Sequence, residues 1–186
     1  GTDYYVKVGG SNGANGLSEV NAWATISYAV DQLSAGDVLW IKAGEYGADN
    51  PTLDVSGTAT NPIKIQGYKN NIGDNPRIKR SIGLNIDSNE IQVFDSWVAQ
   101  TKSGYILRNV DVQSTANRGY DLWKSSHMMI ENCIVEGTES GFYCQRSSGS
   151  VNNYNVRYRD VFAQDVTGNG IILHGNNNLV IDSWAV

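Results

Sequence analysis

The chain has 186 residues, enough for one domain with a continuous core, and carries 14 Lys and Arg against 19 Asp and Glu. The net charge of −5, without a Lys or Arg run, argues against nucleic acid or an anionic membrane surface as partner. No apolar run approaches the roughly 20 residues of a transmembrane helix. The segment 1–6 lacks the features of a leader, so we expect a soluble chain from which any signal peptide has been removed.

One amphipathic helix is predicted near the start of the chain, over about 22–35. Its apolar residues recur at helical spacing: Trp23, Ile26, Val30 and Leu33. Gly36 then provides a stop signal, and an apolar strand follows at once. A stack of repeats has an open apolar end that such a helix can cover. We therefore assign 1–36 as an N-terminal cap and 37–186 as the coils of a single domain.

The second half of the chain contains a repeat. Similar apolar segments each end in a polar anchor, and the four anchors are Asn109, Asn132, Asp160 and Ser183. They are separated by 23, 28 and 23 residues. We expect them to stack in one column at a bend between two strands, where polar side chains can bond turn backbone groups and one another.

A second motif follows each of the first three anchors after about ten residues, and it begins at Gly119, Gly141 and Gly170. Each repeat therefore has at least two strands and a glycine turn. Because side chains alternate along a strand, two inward columns can be predicted. They are Leu107, Ile130, Tyr158 and Ile181, and Leu122, Cys144 and Leu173.

Beside the first inward column, an outward column alternates in charge: Arg108, Glu131, Arg159 and Asp182. We interpret it as a ladder of surface ion pairs, each of small energetic value. Cys133 and Cys144 are too few for a disulfide scaffold and do not have the spacing of a zinc motif. We expect both thiols to be buried and free.

Several segments are typical of one protein group: 4–6, 23–26, 36–38, 43–46, 57–68 and 130–133. They resemble the N-terminal part of secreted right-handed parallel β-helix proteins of the pectate-lyase superfamily, and the stretch 57–68 is similar to polysaccharide lyases of families six and nine. The resemblance implies an all-β, right-handed parallel β-helix, a solenoid with an N-terminal capping α-helix. It also implies a secreted or cell-surface location and a polysaccharide as partner.

In that superfamily the substrate groove runs along one sheet, which the glycine-led strands match. The match places a set of side chains on the ligand-facing side: Asp121, Trp123, Tyr143, Gln145, Ile172 and His174, flanked by Arg118, Lys124 and Arg146. Aromatic rings beside polar groups suit the faces of sugars. A loop such as 147–155 that covers these aromatics is an equally good interpretation of the pattern.

The resemblance also implies a mechanism, in which a cation, often Ca²⁺ held by carboxylates, neutralises a uronate while a Lys or Arg removes the adjacent proton. On the candidate strands the one acid is Asp121, with Glu139 and Asp165 in nearby loops. We therefore assign no metal ligand and no catalytic residue in this chain, and expect Ca²⁺ only in a longer protein. Neither the paired carboxylates of a glycosidase nor a nucleophile beside His127 or His174 is found.

Two functions remain open. The first is the N-terminal part of a secreted polysaccharide lyase-like protein that cleaves an acidic extracellular polysaccharide by β-elimination. The second is a non-catalytic glycan-binding or structural β-helix, such as a tailspike, surface fibre or adhesin. Since the last apolar segment has no polar cap, we expect the natural protein to continue beyond Val186. The oligomeric state is left open.

Overall fold

The computed structural model describes residues 1–46, 49, 51–72, 91–93, 97–98, 102–113, 118–122, 125–144 and 154–186. Within these ranges no helix has both the length and the apolar character needed to cross a membrane. The elements of this part of the chain are, in order, β1 (Asp3–Val6), α1 (Ile26–Asp31), β2 (Val38–Lys42), β3 (Gly44–Glu45), β4 (Ile63–Tyr68), β5 (Ile91–Val93), β6 (Trp97–Val98), β7 (Ser103–Arg108), β8 (Asp111–Gln113), β9 (Arg118–Asp121), β10 (Ser126–Glu131), β11 (Ile134–Glu136), β12 (Ser140–Cys144), β13 (Tyr154–Arg159), β14 (Phe162–Gln164), β15 (Asn169–Leu173), β16 (Leu179–Ile181) and β17 (Trp184–Ala185).

The described strands form three sheets, and the named strands pair in parallel within each of them. Sheet A has the order β1-β2-β4-β7-β10-β13-β16, sheet B has the order β17-β14-β11-β8-β5-β3, and sheet C has the order β15-β12-β9-β6. From β4 onward the chain visits the sheets in the fixed order A, B, C. The fold is therefore nearly all β, and the prediction of parallel strands on three faces is confirmed.

The predicted inward column of Leu122, Cys144 and Leu173 is correct, since Cys144 pairs with Leu173 and the first two residues are buried. The other predicted inward column is correct except in the last repeat. Leu107 pairs with Ile130 and Ile130 with Tyr158, and all three are fully buried. Tyr158 pairs with Val180, however, so the prediction of Ile181 in this column is wrong by one residue. Ile181 instead continues the outward column beyond Arg159, where Asp182 was predicted.

Backbone conformation at the turn explains this shift. Asn109, Asn132, Asp160 and Asp182 all have a left-handed backbone, with φ of 57°, 52°, 54° and 46°. Asn and Asp tolerate this conformation better than most residues. The fourth turn residue is therefore Asp182 rather than Ser183. The amides stack as predicted, since Asn132 Nδ2 donates to Asn109 Oδ1 at 2.7 Å and Asn109 Nδ2 donates to the Gly67 carbonyl at 3.2 Å.

The predicted helix over 22–35 is shorter in the structure. Before its first residue, the chain is held extended, because the Trp23 amide donates to the Tyr5 carbonyl at 2.9 Å and the Trp23 carbonyl accepts from Lys7 at 3.0 Å. Thr25 then caps the helix with its hydroxyl, which accepts from the Tyr28 amide at 3.4 Å. The pairing of Trp23 with β1 therefore overrides its helical spacing.

Helix α1 packs through Ile26, Ala29 and Val30, which belong to the same buried core as the inward residues of β1 and β2. Its N-terminus receives a second cap from the Asp49 carboxylate, which accepts from the amides of Ile26 and Ser27. The carboxylate also suits the positive end of the helix dipole. Two caps thus stabilise a helix whose short length would leave it marginal in isolation.

Both cysteines lie in the core, buried and unpaired as predicted. Burial raises the pKa of the Cys133 thiol and of the Cys144 thiol to about 12 in each case. Both thiols are therefore protonated at neutral pH and behave as small apolar groups.

The glycines of the second motif bring sheet C close to sheet B. A Cβ atom on Gly141 would lie 2.6 Å from the Gly170 carbonyl oxygen and 2.7 Å from Ala163 Cβ. At Gly119 the same atom would lie 2.3 Å from Val135 Cγ1. Glycine is needed here because there is no room for a side chain, and this close approach sets the position of the strands that carry the candidate site.

Candidate functional site

The predicted ligand-facing residues belong to sheet C or to the segments that follow its strands. Asp121 ends β9, Tyr143 is in β12, and His174 follows the end of β15. Trp123 and Gln145 lie outside the described residues, as do Lys124 and Arg146, which were expected to flank them.

Asp121 and Tyr143 lie side by side on neighbouring strands. They are paired in register, and Tyr143 is paired with Ile172 on the next strand. Adjacent strands are about 4.8 Å apart, so these residues form one compact column. The exposed His174 lies two positions beyond Ile172, and its amide donates to the Cys144 carbonyl at 2.8 Å.

Arg118 joins Asp121 to Tyr143. Its Nη1 atom donates to Asp121 Oδ2 at 2.9 Å, and its guanidinium carbon lies 3.7 Å from the centre of the Tyr143 ring. The Arg118 side chain is 38% exposed and that of Asp121 is 9% exposed. A cation over an aromatic face and beside a carboxylate is held in place by two attractions at once. Arg118 therefore presents N–H groups to solvent from a fixed position.

Asp121 is directed to Arg118 rather than to open solvent. It is buried, with 7% of the residue exposed, although its position in the alternation is outward. We interpret Asp121 as the residue that positions Arg118, while Arg118 and Tyr143 form the accessible part. Arg118 was predicted only at the flank of the groove, and its position directly before Gly119 was the available signal in the sequence.

Carboxylates near sheet C occur in a second place, at the end of β11. Glu136 pairs with Gln164 in sheet B, and Gln164 Nε2 donates to Asp165 Oδ2 at 3.2 Å. Burial, and secondarily the charge of Asp165, raise the pKa of Glu136 above its ordinary value. Across the described part of the chain, no three His, Cys, Asp or Glu side chains are grouped so that they could hold a metal ion.

We expect Glu136→Gln to reduce the loss of stability that accompanies rising pH. The folded chain holds the Glu136 proton more tightly than the unfolded chain, so the free energy of unfolding falls as pH rises from the ordinary glutamate pKa of about 4.3 through the raised one. Gln cannot lose a proton, so the variant should be the more stable protein at neutral pH. Urea unfolding from about pH 4 to about pH 8 measures this. The exposed Glu139→Gln serves as control, and an unchanged profile in Glu136→Gln would contradict the prediction.

Comparison with known proteins identifies the fold. No family model and no curated protein matches the chain. Among solved structures, a rhamnogalacturonan lyase is 17% identical with a TM-score of 0.69, over 100% of this chain and 51% of that one. A GH136 lacto-N-biosidase from Eubacterium ramulus is 13% identical with a TM-score of 0.69, over 100% of this chain and 40% of that one. The pectate lyase Pel9A is 16% identical with a TM-score of 0.55, over 92% of this chain and 50% of that one.

The chain thus spans about half the length of these structures, or less. At such identities the likeness concerns the fold alone. The chain has a pectate-lyase-like parallel β-helix fold, which agrees with its three parallel sheets.

Proposed function

We propose that this chain is part of a polysaccharide lyase-like protein that acts outside the cell on an acidic polysaccharide by β-elimination. The observation that carries the proposal is the Arg118 guanidinium, held by Asp121 and Tyr143 on the face of sheet C. The names of the structural neighbours, two lyases and a glycosidase, also support a protein that acts on carbohydrate.

In this proposal residues 1–186 form one domain. Its three sheets are the faces of a right-handed solenoid, with coils over 37–186 and an N-terminal cap over 1–36. The burial of the α1 side chains in the core shared with β1 and β2 supports the role of the helix as a cap.

The exposed part of Arg118 suits a uronate carboxylate. A guanidinium has five N–H donors in a planar fork, and its contact with Asp121 leaves others directed to solvent. A second carboxylate can accept from these donors while Asp121 keeps the side chain in place. The Tyr143 ring beside them offers a flat surface for the sugar ring.

β-Elimination needs more than this pair of groups. A base must remove the proton next to the uronate carboxylate, and a cation must stabilise the charge that develops. Arg118 supplies a cation for the carboxylate. The base, and Ca²⁺ if the reaction uses it, would come from outside the described residues.

The test is binding of polygalacturonate to the 186-residue chain, measured by calorimetry. We expect Arg118→Ala to weaken binding by about 10 to 100 fold, since hydrogen bonds to charged groups contribute about 1.5–3 kcal/mol. The affinity of Arg118→Lys should lie between those of the unaltered chain and of Arg118→Ala, because lysine keeps the charge but loses the planar fork. The exposed Lys69→Ala is the control, and equal affinity of Arg118→Ala and Lys69→Ala would refute the site.

The same chain should show no rise in ultraviolet absorbance from unsaturated product on pectate, alginate or glycosaminoglycans with added Ca²⁺. A longer protein that contains this chain should show it. Elimination by the chain alone, lost in Asp121→Ala, would mean that loop residues complete an active site here.

A second candidate function is a non-catalytic glycan-binding or structural β-helix, of the kind found in fibres and adhesins. It is favoured by the ion pair of Asp121 with Arg118. In this pair, the acid on the described strands of sheet C positions a neighbouring side chain rather than facing a ligand. Binding without elimination in the longer protein would support it.

A further inference from the structure

The outer face of sheet A concentrates positive charge. One outward column pairs Lys64, Ile106, Met129 and Arg157 in register on β4, β7, β10 and β13. The neighbouring column on β7, β10 and β13 contains Arg108, Glu131 and Arg159. These four strands therefore hold four Lys and Arg residues and one carboxylate, whereas the whole chain has a net charge of −5.

The ion pairs of this face do not neutralise it. Arg108 Nε donates to Glu131 Oε2 at 2.7 Å, and Arg159 bonds the other oxygen of the same carboxylate. Two cations thus share one acid and leave an excess of positive charge. Lys64 and Arg157 have no ion-pair partner among the described residues.

The cations are accessible, and the strand register sets the distances between them. The side chains of Arg108 and Arg159 are 36% and 45% exposed, and Arg157 is exposed. Lys64 and Arg157 are three strand steps apart, which is about 14 Å at about 4.8 Å a step. The half-buried Ile106 and Met129 fill the two steps between them. The face is thus a strip with cations on either side of an apolar centre.

We propose that this basic strip, formed by Lys64, Ile106, Arg108, Met129, Arg157 and Arg159, is a second binding surface for a chain of acidic polysaccharide. The surface is separate from the sheet C site and requires no activity there. Carboxylates spaced along a sugar chain can pair with the cations, while the apolar centre packs against the sugar rings. A polysaccharide fits better than nucleic acid, because the apolar centre suits sugar rings and because the acidic remainder of the chain repels a polyanion more strongly the denser its charge.

The experiment uses Arg157→Glu, which leaves the bonds of Glu131 intact, in the Arg118→Ala background. Lys69→Glu is the matched control, since it reverses one exposed charge off the strands of the strip. We expect Arg157→Glu to weaken binding of polygalacturonate by about tenfold and to lower its salt dependence, and Lys69→Glu to change binding by less than about twofold. Thermal unfolding confirms that each variant is folded.

The outcomes separate this proposal from the proposed function. Loss of all binding in Arg118→Ala, or equal effects of Arg157→Glu and Lys69→Glu, would overturn the basic strip and leave the sheet C site standing. Unchanged binding in Arg118→Ala with loss in Arg157→Glu would support the strip and remove the sheet C site. Double-stranded DNA or phosphatidylserine vesicles that bind as tightly as polygalacturonate at the same salt would overturn the assignment to polysaccharide.

Discussion

Phe142→Ala is expected to lower the free energy of unfolding by about 3–5 kcal/mol, the usual cost of removing a buried phenyl ring. Phe142 is fully buried on β12, stacked on Tyr120 at 5.2 Å between ring centres and 5.5 Å from the ring of Tyr158. Removing it opens a cavity between strands of two sheets, since Tyr120 is in sheet C and Tyr158 in sheet A. Denaturant unfolding at equilibrium measures the change.

The neighbouring residue provides the matched control. Tyr143 follows Phe142 on the same strand but points outward and is half-buried. We expect Tyr143→Ala to cost about 1 kcal/mol or less in stability, because surface changes rarely cost more. It should instead weaken binding of polygalacturonate. Equal losses of stability in the two variants would show that the alternation of β12 has been misassigned.

The parallel three-sheet arrangement was predictable because the repeat carries its own register. In such a stack each strand lies directly over its counterpart in the previous repeat, so residues aligned in sequence become neighbours in space. Leu107, Ile130 and Tyr158 are aligned by their apolar character and are paired in the structure. The outward Arg108, Glu131 and Arg159 follow from the same alignment and form the predicted ion pairs.

The last repeat shows the limit of that alignment. Three apolar residues in a row, Leu179–Ile181, leave the register undetermined by one position, and Asp182 and Ser183 are both common in turns. The choice depends on which residue takes the left-handed backbone. The alignment of side-chain types does not contain that information.

The site was predictable in part. The pairing of Asp121 with Tyr143 follows from aligning the glycine-led strands. The role of Arg118 does not, because alternation along β9 places it out of phase with Asp121. Its long side chain nevertheless reaches the Asp121 carboxylate and the Tyr143 ring. Side-chain reach of this kind depends on the space around each residue rather than on sequence spacing.

The second large effect is expected at the turn between sheets A and B. Asn132 has a φ of 52° and its side chain donates to Asn109 Oδ1 at 2.7 Å. Asn132→Ala should lower the free energy of unfolding by about 2–3 kcal/mol. About 1–2 kcal/mol comes from the left-handed backbone, which disfavours a Cβ without a local polar partner, and about 1 kcal/mol from the lost hydrogen bond.

Asn132→Gly separates these two contributions. Glycine takes the left-handed conformation without steric cost, so this variant should lose mainly the hydrogen bond to Asn109 and be more stable than Asn132→Ala. Denaturant unfolding measures the difference. If the free energy of unfolding of Asn132→Gly exceeds that of Asn132→Ala by about 1 kcal/mol, backbone conformation selects Asn at this turn. Equal stability of the two would assign the effect to the amide stack instead. In that case Asn109→Ala, which removes the acceptor of the same bond and also the donor to the Gly67 carbonyl, should cost at least as much as either.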